Sequence, residues 1–335
     1  MNASATIARN GRTPIYRGFN SHLEGRKVSP LDFQKEIGLD WTVTKEEISF
    51  NMIETAGMDP FRAVVRSDNR TALGVVGKDY ESVQNDEMFR FLADLSEFDM
   101  DVEMVAGSAL GKGEIVWSLA KVPSLSLALG TDIVDSFIFM SNGHAGNRNL
   151  AVDFYTLRKI CSNGMHALTR ATSGKLGIGN GWKLKHTSGI SDRFAQVQGV
   201  VRDVVKDYTT TKEAFQILAD TPASWATVEA IAAKVYGAVP AKVEGKSNKA
   251  HTIATNRMED LSRIWNSATS KGIETEGTLW TAVNAVTEWA EHESITRSGN
   301  YTPEESRIIG NFLGGSASTF KEDAYTYALS LAGIA

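Results

Sequence analysis

Positively charged side chains are concentrated in one segment in the middle of the chain. Between residues 141 and 190, seven Lys or Arg side chains accompany a single acid, Asp153, so this segment carries +6 and leaves −11 for the rest of a chain whose total is −5. Proteins bind single-stranded nucleic acid with cations that contact phosphates and with aromatic rings on which bases stack. The segment therefore predicts a nucleic-acid interface formed by Arg148, Arg158, Lys159, His166, Arg170, Lys175, Lys183 and Lys185, with Phe154, Tyr155 and Trp182 as stacking rings.

Helical spacing relates several of these residues to one another. Leu157, Ile160, Cys161 and Leu168 have the spacing of one helix face, which predicts a helix that begins at Leu157. A polar row on another side of this helix consists of Arg158, Ser162, His166 and Arg170. It would span ~18 Å at about 1.5 Å per residue, roughly three phosphates of an extended strand. The alternative is that these cations pair with acids elsewhere in the chain.

The same segment contains residue types that enzymes use for catalysis. Cys161 would be a nucleophile if a base made it a thiolate, and His144, His166 and His186 are the candidate bases of a hydrolase or nuclease. Together with Asp153, these histidines would be the candidate ligands of a metal site, although no His-x-x-x-His pair is present. Cys161 also fits the apolar face of the predicted helix, where a small buried side chain belongs. The pattern favours a nonenzymatic protein without cofactor or metal.

Residues 107–113 partly match a phosphate-binding loop. A Walker loop requires four residues between its glycines, Ser or Thr after the Lys, and then a helix. Here three residues separate Gly107 from Gly111, Gly113 follows Lys112, and the next residues are strand-like. We interpret this segment as a hairpin turn.

Two features of the second half have more than one interpretation. A polar row in a late helix consists of Asn284, Glu288 and His292, which recur every four residues. This row would line a site or form a solvated or interdomain face. The turn at residues 314–318 precedes the last helix, where it would bind an anion or only cap the helix.

The elements that must position these residues indicate an α+β fold. Alternating apolar residues predict antiparallel hairpins around residues 61–76, 102–119 and 136–155, and a helix begins at Asn85 between the first two. Beyond about residue 191, apolar residues recur only at helical spacing. We therefore predict a polar N-terminal segment at residues 1–40, an α+β core of hairpins with packed helices at residues 41–190, and a helical region at residues 191–335.

The composition restricts the compartment of the protein. Cys161 is the one cysteine of the 335 residues, which excludes an intrachain disulfide and favours a reducing, cytoplasmic environment. Residues 1–12 are polar and have no apolar run behind their charges, so no signal peptide is predicted. No stretch has the ~20 continuous apolar residues of a membrane helix, and we expect no membrane association.

Several short motifs lie at residues 73–85, 142–146, 158–163, 186–187 and 279–288. These segments resemble a family that is borne by phages and plasmids and catalogued as domain of unknown function 932. The resemblance runs in order from about residue 30 to the C-terminus. It implies an origin in a mobile element, and hence a role in DNA metabolism or in dealings with a host. The order of helix, two hairpins and helix is also similar to that of phage single-strand annealing proteins.

Together, the residues and the resemblance predict a phage- or plasmid-encoded protein that binds single-stranded nucleic acid and assists annealing, recombination or replication. Similarity to annealing proteins implies a homo-oligomer. One alternative is a module that binds a host protein or counteracts host defence through the same cations. Another is the hydrolase or nuclease with a site around His144, His166 and His186.

Overall fold

The structure of the protein is a computed structural model. It describes residues 15–19, 27–48, 60–97, 101–158, 164–166, 182–190, 192, 196, 197, 199, 201, 209–244, 247–271, 273–294 and 299–334.

A small antiparallel sheet precedes the main one. Its strands are β1 (Val43–Glu47), β2 (Phe61–Arg66) and β3 (Ala72–Gly77), in the order β1-β2-β3. The turn between β2 and β3 contains Arg70 in the left-handed region, with φ of 61°. The predicted first hairpin is confirmed.

The main sheet has seven strands, and all of their pairings are antiparallel. Five of them follow the order β10-β8-β7-β5-β4, while β6 pairs with β7 and β9 pairs with β8. The second and third predicted hairpins are confirmed as β4–β5 and β7–β8. The strands are β4 (Glu103–Leu110), β5 (Ile115–Lys121), β6 (Leu127–Leu129), β7 (Asp132–Gly143), β8 (Leu150–Arg158), β9 (Gly164–His166) and β10 (Trp182–Leu184).

Helices dominate the second half of the chain, and the α+β class is confirmed. A π-helical turn, Trp289–Glu293, continues α6. In the part of the chain that the structure describes, no helix is both long and apolar enough to cross a membrane. The helices are α1 (Pro30–Glu36), α2 (Asn85–Glu97), α3 (Thr209–Asp220), α4 (Trp225–Tyr236), α5 (Lys249–Trp265), α6 (Leu279–Glu288), α7 (Pro303–Phe312) and α8 (Ser316–Leu331), with 3-10 turns at Ile15–Gly18 and Pro123–Leu125.

Strand β8 is buried on both faces. Because side chains alternate along a strand, Val152 and Phe154 enter the core that contains α2, whereas Tyr155 and Leu157 enter a core on the opposite face with Phe312 of α7. A third core joins the later helices to the sheet at Leu129 and Val134. The second half therefore packs directly on the sheet, and the division at residue 190 stays a prediction.

The predicted helix that begins at Leu157 is wrong. Leu157 and Arg158 end β8, and Gly164–His166 form β9, in which His166 pairs with Tyr155. A strand that is buried on both faces has a continuous apolar run, and periodicity alone does not distinguish such a run from a helix. Ile160, Cys161 and Leu168 lie outside the described residues.

Arg158 forms a buried ion pair where β8 leaves the sheet. Its Nε donates to Oδ2 of Asp132, and the two side chains are 2% and 1% exposed. The indole Nε1 of Trp280 in α6 donates to the same oxygen over 2.8 Å. A strand-end cation thus holds the sheet to the helical half through one carboxylate.

We predict that Asp132→Ala lowers the free energy of unfolding by about 3–5 kcal/mol, since it leaves the Arg158 guanidinium buried without this carboxylate. Denaturant unfolding followed by circular dichroism measures the change. Arg90→Ala is the control, because Arg90 pairs with Asp86 on the surface of α2 and is 65% exposed; its cost should stay below about 1 kcal/mol. Equal effects of the two substitutions would contradict the anchoring role of Asp132.

Candidate functional site

One cavity combines two of the predicted cations. It lies between the β8–β10 side of the main sheet, the β7–β8 connection and the start of α8, and its volume is about 200 Å³. It opens to solvent, since Lys183 and two asparagines on its wall are exposed. The lining residues are Ser141, Asn147, Arg148, Asn149, Ala151, Asp153, Lys183, Phe312, Leu313, Gly314 and Ser318.

Strand register places the sheet residues of the cavity side by side. Ala151 of β8 pairs with Ser141 of β7 on one side and with Lys183 of β10 on the other. Asp153, two residues further along β8, points to the same face as Ala151. The floor of the cavity is therefore a patch of three adjacent strands.

The β7–β8 connection supplies the second cation, Arg148. Its Nη1 donates to the carbonyl of Leu313 over 3.1 Å, which ties this loop to the end of α7. Gly143, where β7 ends, has no room for a side chain, because a Cβ there would lie 2.6 Å from the Cβ of Arg148. Arg148 is thus held over the cavity by its own hairpin and by the turn between α7 and α8.

The electrostatics of the cavity favour an anion. Among the described residues that line the cavity, Arg148 and Lys183 outnumber one carboxylate, Asp153, which is buried. Helix α8 begins beside the cavity with Gly315 as its N-cap, and Gly315 has no side chain to accept from the first-turn N–H groups. The positive end of the helix dipole adds to the two cations.

The segments that resemble the family meet at a second location, around His144. Asn142 donates from Nδ2 to the carbonyl of Val83 over 2.8 Å, and Tyr80 donates to the carbonyl of Gly143 over 2.8 Å. The ring of His186 stacks on Tyr80, with centroids 4.8 Å apart. Residues 80–85, 142–144 and 186 therefore form one network.

Glycines allow the β7–β8 connection to lie against β3. A Cβ on Gly74 would lie 2.7 Å from the Cα of Ala145, and a Cβ on Gly146 would lie 2.7 Å from Cγ1 of Val76. Gly146 also has a φ of 78°. The two sheets therefore meet at this loop with little space between their backbones.

His144 is fully buried, and its partners define its tautomer. Asn85 donates from Nδ2 to the carbonyls of Leu39 and Trp41, so its Oδ1 accepts from Nε2–H of His144 over 2.9 Å. Among the residues that the structure describes, Nδ1 of His144 has no hydrogen-bond partner. Burial, and then the nearby His186 and Arg66, lower the pKa of His144 from 6.5 to about 3. The imidazole is therefore neutral near pH 7.

A polar triad lies behind the cavity wall. Nζ of Lys321 lies 3.1 Å from the hydroxyl of Tyr155 and 3.2 Å from Oε2 of Glu291, and both charged side chains are fully buried. The Tyr155 hydroxyl also donates to Glu291. Burial lowers the pKa of Lys321 and, with Glu291, raises that of Tyr155. Phe312 separates the triad from the cavity, since it lines the cavity and its ring centroid lies 4.4 Å from that of Tyr155. This triad is not predicted from the sequence, because its members are far apart in the chain.

The structure brings together only some of the predicted interface. Arg148 and Lys183 share the cavity, and Lys185 is exposed just after β10. Arg158 is buried against Asp132, so it does not face a ligand. Phe154 and Tyr155 are buried in opposite cores, and this corrects the expectation that their rings stack on bases. His166 and Trp182 are described only as strand residues, and Lys159, Arg170 and Lys175 lie outside the described residues.

The other sequence interpretations have mixed outcomes. The turn at residues 111–114 joins β4 to β5, so the hairpin interpretation is confirmed. Asn284 and Glu288 are buried, so a solvated face for their row is wrong. Their burial follows from the position of α6 between α4 and α8. Within the described ranges, no three His, Cys, Asp or Glu side chains are arranged to hold a metal ion.

Comparisons with known proteins yield one match. The sequence model of DUF932, a domain of unknown function, matches residues 72–308. No curated protein and no solved structure matches the chain.

We predict that stability falls as the pH falls from about 6.5 to about 3. His144 is protonated in the unfolded chain but stays neutral in the fold across this range. Because only the unfolded state takes up this proton, the free energy of unfolding falls by about 1.4 kcal/mol for each pH unit. His144→Gln keeps an amide donor for Asn85 and should flatten this slope, measured by denaturant unfolding at several pH values. His251→Gln, a change near the surface of α5, should leave the slope unchanged. An unchanged slope in His144→Gln would contradict the neutral, buried imidazole.

Proposed function

The chain belongs to the DUF932 family, a domain of unknown function, and from that premise we propose that it binds single-stranded nucleic acid, with a backbone phosphate in the cavity between Arg148, Lys183 and the start of α8. The protein acts by binding and not by catalysis. Such binding suits a role in annealing, recombination or replication.

The observation that carries this proposal is the convergence of Arg148 and Lys183 on one open cavity. Arg148 comes from the β7–β8 connection and Lys183 from β10, 35 positions apart in the sequence. Both line the cavity beside the N-terminus of a 16-residue helix. Arg offers several N–H donors in a fixed plane and Lys offers a mobile ammonium group, and both groups bind phosphate. A phosphate placed there would interact with two cations and with the helix dipole.

The dimensions of the site favour a single strand over a duplex. A cavity of about 200 Å³ has room for a phosphate and its neighbouring sugar. A single strand can turn one nucleotide into such a space, whereas base pairing holds the backbone of a duplex at the surface of the double helix. Lys185 lies exposed two residues beyond Lys183, and it extends the positive surface for an adjacent phosphate of the strand.

We predict that the protein binds a labelled single-stranded oligonucleotide and that affinity falls steeply with salt, since bound phosphates release counterions. Arg148→Ala and Lys183→Ala should each weaken binding by at least about tenfold, the effect of one charge-assisted hydrogen bond, and should reduce the salt slope by about 0.7. Fluorescence anisotropy across a salt series measures both quantities.

Lys234→Ala is the matched control for this experiment. Lys234 is exposed on α4 and does not line the cavity, so its loss removes the same charge without removing a phosphate contact. Its affinity and salt slope should equal those of the unsubstituted protein. If no oligonucleotide binds even at low salt, the nucleic-acid function is excluded, and a protein-binding role of the same cations becomes the better hypothesis.

A further inference from the structure

We propose that the cavity selects ribonucleotides, so that the protein binds single-stranded RNA more tightly than DNA of the same sequence, and that Asp153 makes the distinction. This inference rests on the proposed function and names the class of nucleic acid that occupies the site. It concerns Asp153, a lining residue whose charge opposes an anionic ligand.

A carboxylate is unfavourable in a cavity that binds only phosphate, because the two groups carry like charges. Asp153 is buried while it lines the same space as Arg148 and Lys183, and its charge repels a phosphate that comes close. A ligand that is only anionic would be bound better without it. A ligand that has both a phosphate and a nearby hydrogen-bond donor would use both kinds of group, because an ionised carboxylate only accepts hydrogen bonds.

The strand register sets the spacing of these two groups. Lys183 pairs with Ala151, so Asp153 is its diagonal neighbour across β8 and β10, and such neighbours lie about 7 Å apart. A phosphate on Lys183 and Arg148 therefore leaves its attached sugar next to Asp153.

A ribonucleotide places a donor at the required position. Its 2′-hydroxyl is bonded to the carbon next to the one that bears the 3′-phosphate, and this hydroxyl is the group by which proteins distinguish RNA from DNA. Asp153 already takes part in an interaction within the protein. A carboxylate has about four acceptor sites on its two oxygens, so it can accept a further bond from this hydroxyl.

The other lining groups suit the remainder of a nucleotide. Ser141, Asn147 and Asn149 are neutral and offer both donors and acceptors, so they can contact sugar and base atoms without adding charge. Phe312 forms an apolar wall, held by stacking on Phe139 with centroids 4.7 Å apart. The set of one carboxylate, two cations and neutral amides matches a phosphate that is attached to a hydroxylated sugar.

The test compares three oligonucleotides of one sequence, made as RNA, as DNA and as 2′-fluoro RNA. The 2′-fluoro strand keeps a ribose-like sugar conformation but has no hydroxyl donor. RNA should bind about tenfold more tightly than either of the other two, the effect of one charge-assisted hydrogen bond. Anisotropy titrations at one fixed salt concentration give the ratios, and each titration is repeated with EDTA.

Asp153→Asn supplies an independent measurement with a side chain of the same shape. It should weaken RNA binding and strengthen DNA binding, so that the RNA-to-DNA ratio approaches one, because both the charged acceptor and its repulsion of phosphate are removed. Asp40→Asn is the matched control, since Asp40 is exposed, lies outside the cavity and loses the same charge. Its ratio should remain that of the unsubstituted protein.

The outcomes separate this inference from the function on which it rests. Equal binding of RNA and DNA by the unsubstituted protein overturns the selection while the binding function stands. A preference that 2′-fluoro RNA shares with RNA assigns the selection to sugar conformation and overturns the role of Asp153. Loss of binding in EDTA makes Asp153 a ligand of a divalent cation and also overturns it. If none of the three strands binds, both proposals fall.

Discussion

The pairing of β7 with β8 is the constraint on which the rest of the structure depends. It fixes Ser141 opposite Ala151 and Val134 opposite Arg158, and because side chains alternate, a shift by one residue would exchange the two faces of β8. Residues 152 and 154 would then leave the core with α2, and Asp153 would leave the cavity for an apolar interior. Both cores and the candidate site therefore require this single register.

Buried polar groups supplement the apolar packing where the helices meet the sheet. The Asp132–Arg158 pair with Trp280 joins β7 and β8 to α6, and the triad of Lys321, Glu291 and Tyr155 joins β8 to α8 and the π-helical turn. Isolated charges in such positions would cost several kcal/mol each, whereas these are paired. Groups with directional partners accept few alternative arrangements, so they specify how the helical half docks.

Local patterns in the sequence were sufficient to predict the three hairpins, α2 and the α+β class. They failed where burial depends on distant partners. Arg158 was assigned to a solvent-facing row because the sequence does not show that Asp132 lies diagonally across β7. Glu288 was assigned to a polar face because the sequence does not show that other helices enclose α6. For the candidate site, the charge pattern identified Arg148 and Lys183, and the turn at residues 314–318 was predicted either to bind an anion or only to cap the helix. The positions of Phe312 and Asp153 in the cavity follow from register and packing, which periodicity does not encode.

The contact of the β7–β8 connection with β3 has a consequence for how this chain can change over evolution. Surface loops between strands usually tolerate insertions and larger residues. This loop does not have that freedom, because Gly74 lies against Ala145 and Gly146 against Val76 with no room for one more carbon atom at either glycine. The opposite wall of the cavity, at the turn between α7 and α8, is less restricted. A side chain at Gly314 would begin in open space there, and its φ of 78° favours a residue such as Asn that accepts the left-handed region.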